Sequence, residues 1–181
     1  MDRIYTNRLC LRKITAGDLT LLSQWSSSMA AHGNFLSPEN HSYQECYERW
    51  ENNSYWNDHS KTLIIEHKEK QQSVGTIRYW QKPNDYCTAM VALKVAEPHF
   101  RGQGLGTEAQ RGLIHHLFTK DQYRAVEMFT DIDNVPEQRC LAKLGFTLTD
   151  IQSYEDQKVQ RQGRLYRLTR AEYDNQVQDY L

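Results

Sequence analysis

Apolar and polar positions alternate along this chain in short runs whose period changes several times. Arg8 to Ile14 (RLCLRKI) alternate with the period of two of a half-buried strand. Thr15 and Asp18 then stand at capping-box spacing ahead of Leu19, Leu22 and Trp25, which share one helical face. Ser42 and Glu45 repeat that start signal before Tyr43, Cys46, Tyr47 and Trp50, predicting a short second helix. Its aromatic stripe suits packing against a sheet or lining a pocket. The runs KTLIIEH (61–67), SVGTIRYW (73–80) and TAMVALKV (88–95), separated by the polar turns KEKQQS and QKPND, predict an antiparallel meander. Leu105, Ala109, Leu113, Ile114, Leu117 and Phe118 recur at helical spacing, and the strand VEMFTD (126–131) follows. A strand, a crossover helix and a further strand imply a parallel pair, hence an α/β (α+β) mixed sheet, mostly antiparallel, with helices on both faces. The tail predicts a strand after Phe146 and another at RLYRLT (164–169), with Gly163 in the turn between them.

Composition narrows the function classes. The chain has 181 residues without repeat, low-complexity tract or linker, which predicts a single domain over residues 1–181. Mean hydropathy is −0.80, low enough to raise disorder, but 11 Tyr, 4 Trp and 5 Phe are spread over its length, which argues for a packed core. Lys and Arg number 22 against 23 Asp and Glu, and no block of one sign stands out, so nucleic acid is not an expected partner. The charged amino terminus and the absence of any apolar run of about 18 residues predict a soluble, cytoplasmic protein with no membrane partner. Cys10, Cys46, Cys87 and Cys140 lack metal-site spacing, so reduced thiols and no metal centre are expected.

The candidate chemistry lies in FRGQGLGT (100–107), where glycines occupy alternate positions between the end of a strand and the start of a helix. Glycines there let consecutive backbone amides face one concavity, and the helix start adds unpaired donors and partial positive charge, the arrangement that binds phosphate oxygens. Arg101 supplies a cation and Thr107 a hydroxyl. Gly102, Gly104 and Gly106 read GxGxG after a meander, which is not the dinucleotide fingerprint, and the turn holds no lysine, which excludes the P-loop.

RGQGLGT resembles the coenzyme A pyrophosphate loop of the GCN5-related N-acetyltransferases. TNRLCLRKITAGDL (6–19) resembles the opening of the branch that includes the ribosomal-protein N-terminal acetyltransferases, and DNVPEQRCLAKLGF (133–146) resembles that branch's Asn-containing segment. The resemblance implies a GNAT-like acyl-CoA N-acyltransferase fold and transfer of an acetyl group from acetyl-CoA to a primary amine of a small molecule or a peptide N-terminus. It implies that the backbone around Lys94, Val95 and Ala96 contacts the pantetheine arm and polarises the thioester. It likewise implies that Arg101, Gly102, Gln103, Gly104, Leu105, Gly106 and Thr107 hold the pyrophosphate, and that Asn134, also read as a helix N-cap, touches the cofactor. Two positions depart from the family. Leu141 stands where many members carry a tyrosine that protonates the leaving thiolate, and Met90 where many carry a glutamate base. Glu137 is the remaining catalytic candidate, as acid or base with a raised pKa, against the reading that it closes a capping box with Asn134. Glu66, His67, Glu97 and His99 are lesser candidates, while His115 and His116 read as structural. Leu141 and Met90 motivate a second reading, a catalytically weak acyl-CoA-binding or regulatory module. The sequence carries no signal for the identity of the amine, sought in 26–60 and 154–164, or for oligomeric state.

Overall fold

The alternating runs become one eight-stranded sheet in the computed structural model, which describes residues 3–178. Strands β1 (Arg3–Tyr5), β2 (Leu9–Lys13), β3 (Ser60–His67), β4 (Gln72–Lys82), β5 (Asp85–Val95), β6 (Ala125–Asp131), β7 (Thr147–Asp156) and β8 (Val159–Thr169) lie in the order β1-β2-β3-β4-β5-β6-β8-β7. Only β5 and β6 run parallel, and every other neighbouring pair is antiparallel. The meander and the parallel pair are as the periodicity predicts. β1 adds an edge strand too short to carry a pattern.

Between β2 and β3 lie α1 (Leu19–Ser27), α2 (Met29–His32) and α3 (Tyr43–Glu51); α4 (Leu105–Thr119) joins β5 to β6; α5 (Val135–Lys143) joins β6 to β7; α6 (Arg170–Gln178) follows β8. Consecutive residues of β3 point to opposite faces. Leu63 and Ile65 enter the main core with Phe100, Leu113, Phe118 and Leu141, under α4 and α5. Ile64 packs on the other face with Leu19, Trp25 and Cys46 from α1 and α3. The aromatic stripe of α3 is thus divided: Tyr47 and Trp50 lean on that second cluster, while Tyr43 is exposed. Cys10, Cys46 and Cys140 are buried free thiols, whereas Cys87 is exposed.

One expected turn is elsewhere. Gly163 lies inside β8, paired with Asp131 on one side and Gln152 on the other. The reversal is made by Gln157 and Lys158, with φ of 48° and 68°. Gly163 serves close approach: a Cβ there would meet the Tyr154 ring at 2.8 Å and the Thr130 carbonyl at 3.3 Å.

The β5–β6 pairing runs only from Thr88↔Ala125 to Met90↔Glu127, although β5 continues to Val95 and β6 to Asp131. The strands fork there. At the crotch, buried Glu127 accepts Lys82 Nζ at 2.7 Å and Arg167 Nη1 at 2.6 Å. Removing a buried charge strands its partners, so Glu127→Ala should lower unfolding free energy by about 3 kcal/mol. Urea denaturation measures this, and a loss under about 1 kcal/mol would show that the cations relax into solvent.

Candidate active site

Two cavities meet where β5 ends. The larger, about 500 Å³, lies between α2, the end of β5, the start of α4 and the start of α5. The second, about 290 Å³, lies over the other end of the same strand segment, roofed by α1, α3 and the 36–41 loop. His32, Leu36, Leu93 and Lys94 line both.

The glycine loop forms the floor of the larger cavity. Gly102 and Gly104 have φ of 72° and 77°, left-handed conformations that a branched side chain resists. Among the described residues, no backbone amide from Gly102 through Thr107 donates a hydrogen bond to the protein; the first helical bond runs from Glu108 N to Gly104 O. Helix starts leave such donors open, and here the glycine turn extends the row. Gly106 lets the helix lie close on β5, since a Cβ would sit 3.2 Å from Leu93.

Arg101 lines the larger cavity, but its guanidinium also grips the strand end and α2. Its Nε donates to Val95 O, and its Nη2 to Ala30 O and Ala31 O, all at 2.8 Å. It caps the free carbonyls at the end of α2, pinning that short helix to the strand end. A second cation, Arg8, stands beside the loop but outside the cavity lining: its Nη1 donates to Gln103 O at 2.9 Å and its Nη2 is 3.6 Å from where a Cβ on Gly104 would stand. Glu108 accepts the Arg8 amide and guanidinium and the Thr6 hydroxyl, so the amino-terminal segment buttresses the loop.

The remaining predicted residues divide. Lys94, Val95, Leu105, Thr107, Asn134 and Glu137 line the larger cavity. Ala96 does not: its amide donates to Val74 O at 2.9 Å and its side chain is buried under α1. Gln103 turns away, donating to His99 O at 2.7 Å. Asn134 caps α5 by accepting Glu137 N at 3.3 Å. Glu137 closes no capping box; its carboxylate accepts Gln110 Nε2 at 2.7 Å. Gln110, wholly buried, accepts in turn from Cys140 Sγ at 3.6 Å, and Cys140 lies 3.0 Å from Thr107 Oγ1. Burial raises the Glu137 carboxyl pKa, partly offset by the Gln110 bond, and raises the Cys140 thiol.

Glu137 therefore carries a pH signature. A carboxyl whose folded pKa lies above its unfolded value stabilises the fold below the unfolded pKa, and that contribution is lost as pH rises through the folded pKa. Glu137→Gln should be neutral in acid and stabilising above the ordinary carboxyl range, read from melting temperatures against pH. A pH-independent difference would contradict the burial argument.

The lesser candidates drop out. Glu66 pairs with Arg12, and Glu97 accepts Trp25 Nε1 at 2.7 Å. His67 is buried against Phe100, and neither these three nor His99 lines either cavity. His115 bonds Tyr173 and His116 faces Asp121, structural as expected. The residue that sequence reasoning missed is His32, on a helix of four residues with no periodicity to reveal it. Its Nδ1 is 2.8 Å from Ser28 O. A carbonyl only accepts, so Nδ1 carries the proton, and a lysine ammonium only donates, so Nε2 accepts from Lys94 Nζ at 3.4 Å.

A family model described as an acetyltransferase (GNAT) domain matches residues 8–147. An N-acetyltransferase 9-like protein of Nematostella vectensis is 30% identical over 105 residues, 52% of this chain and 53% of that protein. The match thus spans about half the length of this curated relative. A ribosomal L7/L12 alpha-N-protein acetyltransferase in complex with coenzyme A superposes with a TM-score of 0.79 at 17% identity, over 93% of this chain and 98% of that one. The spermidine N-acetyltransferase from Vibrio cholerae in complex with CoA and spermine does so with a TM-score of 0.78 at 13% identity, over 94% and 100%. At these identities the structural likeness is one of fold.

Proposed function

Since the chain belongs to the GCN5-related N-acetyltransferase family, we propose that it moves an acetyl group from acetyl-CoA to a primary amine by direct attack. The carrying observation is the run of unengaged amides from Gly102 to Thr107 at the start of α4, a cradle for a diphosphate. Asn134 Nδ2, without a protein partner among the described residues, adds a donor on the same wall. Arg101 on the cavity wall and Arg8 beside the turn add positive charge.

Acetyl-CoA supplies an activated thioester carbonyl, so the chain must position it, deliver an unprotonated amine and let the sulfur leave. Beyond the fork β5 pairs with β4 but not with β6, and its residues Ala92 to Val95 border the two cavities, which suits that open edge to guide the pantetheine arm to the acceptor. His32 Nε2, at the shared wall, accepts the proton of the attacking amine. As the new C–N bond forms and the C–S bond breaks, the thiolate takes a proton from Glu137, whose raised pKa favours the protonated acid. Leu141 and Met90, at the two family positions, are buried and contribute neither group.

The reading of a binding module without turnover rests on those same two residues. A thiol-release assay with acetyl-CoA and a panel of primary amines separates the two. Free CoA appearing with stoichiometric acetylated amine supports the transferase, whereas CoA binding by calorimetry with no release on any amine favours the module.

A further inference from the structure

The smaller cavity has an unbalanced charge that the transfer reaction does not explain. Its wall carries the cations Arg49, Arg78 and Lys94 and the carboxylates Glu39 and Asp156. Asp156 is neutralised: it accepts Arg161 Nε at 3.0 Å and the Ser37 amide at 2.8 Å. Among the described residues, none of the wall cations has a carboxylate within ion-pair distance, and the guanidinium groups of Arg49 and Arg78 donate no hydrogen bond. Glu39 alone opposes them, from an exposed position on the 36–41 loop.

The sheet explains why these charges share a face. Arg78 on β4 stands opposite Ala92 on β5, and Thr76 stands opposite Lys94. Residues two apart on a strand point to the same side, so Arg78 and Lys94 are diagonal neighbours, about 7 Å apart at Cβ. Ala92 leaves the space between them open. Arg78 lies over the Trp80 ring, 4.2 Å from its centroid, which holds the guanidinium in place without using its donors. Desolvation lowers the pKa of both Arg78 and Lys94, with Glu39 opposing that shift in each, so the charges are under-compensated, although Arg78 keeps an exposed face.

Guanidinium groups that line a cavity with free donors and no carboxylate partner are an unfinished anion site, here one that stays open to solvent at Arg49 and Arg78. From this geometry we infer that the acceptor is a small primary amine bearing a carboxylate, held by Arg78 and Arg49 with its amine directed to His32 at the shared wall. The inference rests on the transferase reading for the role of the amine, but the carboxylate site stands on its own residues. A polyamine is disfavoured, because its ammonium groups would face Arg49, Arg78 and Lys94 with only Glu39 in opposition. The volume of about 290 Å³ suits an amino acid or the first residues of a peptide.

The test has a binding arm and a turnover arm. In the first, glutarate is titrated into the protein by calorimetry. It should bind the native protein and Arg78→Lys, and bind at least about tenfold more weakly to Arg78→Met, with CoA affinity equal in all three. In the second, glutamate and a glutamate-initiated tetrapeptide amide are compared as acceptors with glutaminamide, a glutamine-initiated tetrapeptide amide and spermidine, so that only the first member of each pair carries a carboxylate. The carboxylate-bearing member of each pair should have the higher kcat/KM, and whichever of glutamate or its peptide leads identifies free amino acid or peptide terminus. Arg78→Met should raise the KM for the leading acceptor about tenfold or more. No glutarate binding, equal binding by Arg78→Met, or a preference for spermidine would overturn the inference. Glutarate binding without thiol release on any amine would instead count against the transferase reading alone and leave the anion site intact.

Discussion

Replacing Gly104 with valine is expected to weaken coenzyme A binding by about 100-fold while the sheet and helices stay folded. Gly104 has φ of 77° and caps α4, so a β-branched residue there costs about 1–2 kcal/mol in place or turns the backbone to relieve it. Turning the backbone moves the amides on either side out of the cradle. Each amide bond to a phosphate oxygen is worth about 1.5 kcal/mol or more, so losing two weakens binding by about 3 kcal/mol. A Cβ at Gly104 meets nothing closer than Arg8 at 3.6 Å, so the effect comes from backbone strain and not from collision with the core. Calorimetry with CoA reads the affinity and a thermal melt reads the fold. An unchanged affinity would remove the diphosphate assignment, while collapse of the melt would show that the turn is structural.

His32→Gln should lower kcat by a factor of about 100 to 1,000 and leave CoA affinity alone. Glutamine can still donate to the Ser28 carbonyl, as the imidazole does at 2.8 Å, but cannot take a proton from an amine. A second variant guards against a purely structural effect: His32→Ala, open to both cavities, should regain activity when imidazole is added to the buffer. If kcat falls less than about threefold in His32→Gln, or imidazole restores nothing in the alanine variant, the amine loses its proton elsewhere.

The readable part of the fold is the part made by local repetition. The meander from Ser60 to Val95, the helix from Leu105 and the crossover to Ala125 each repeat over several residues, long enough for a period to emerge, and the parallel pair follows from their order. The glycine turn was equally legible, because positive φ limits which residues can stand at Gly102 and Gly104. What failed to show was everything set by distant partners. Arg101 is tied to the carbonyls of Ala30 and Ala31, and Arg8 meets Glu108 from the far end of the chain. Ala96 leaves the site because its amide joins Val74, a choice made by the neighbouring strand. Gly163 reads as a turn residue alone, yet it is a strand residue because Tyr154 lies across it. His32 was invisible for a similar reason: its importance comes from being on the wall of two cavities assembled from remote segments, not from any neighbour in sequence.

The guanidinium of Arg101 ties together pieces that a kinetic description would treat as separate. It begins in the diphosphate turn, grips the last carbonyl of β5 and ends on the helix that carries His32. The two parts of the proposed reaction, nucleotide grip and proton acceptance, would thus share one strut. A change to Arg101 itself, unlike one to His32 or Gly104, would therefore disturb the turn, the strand end and the short helix together.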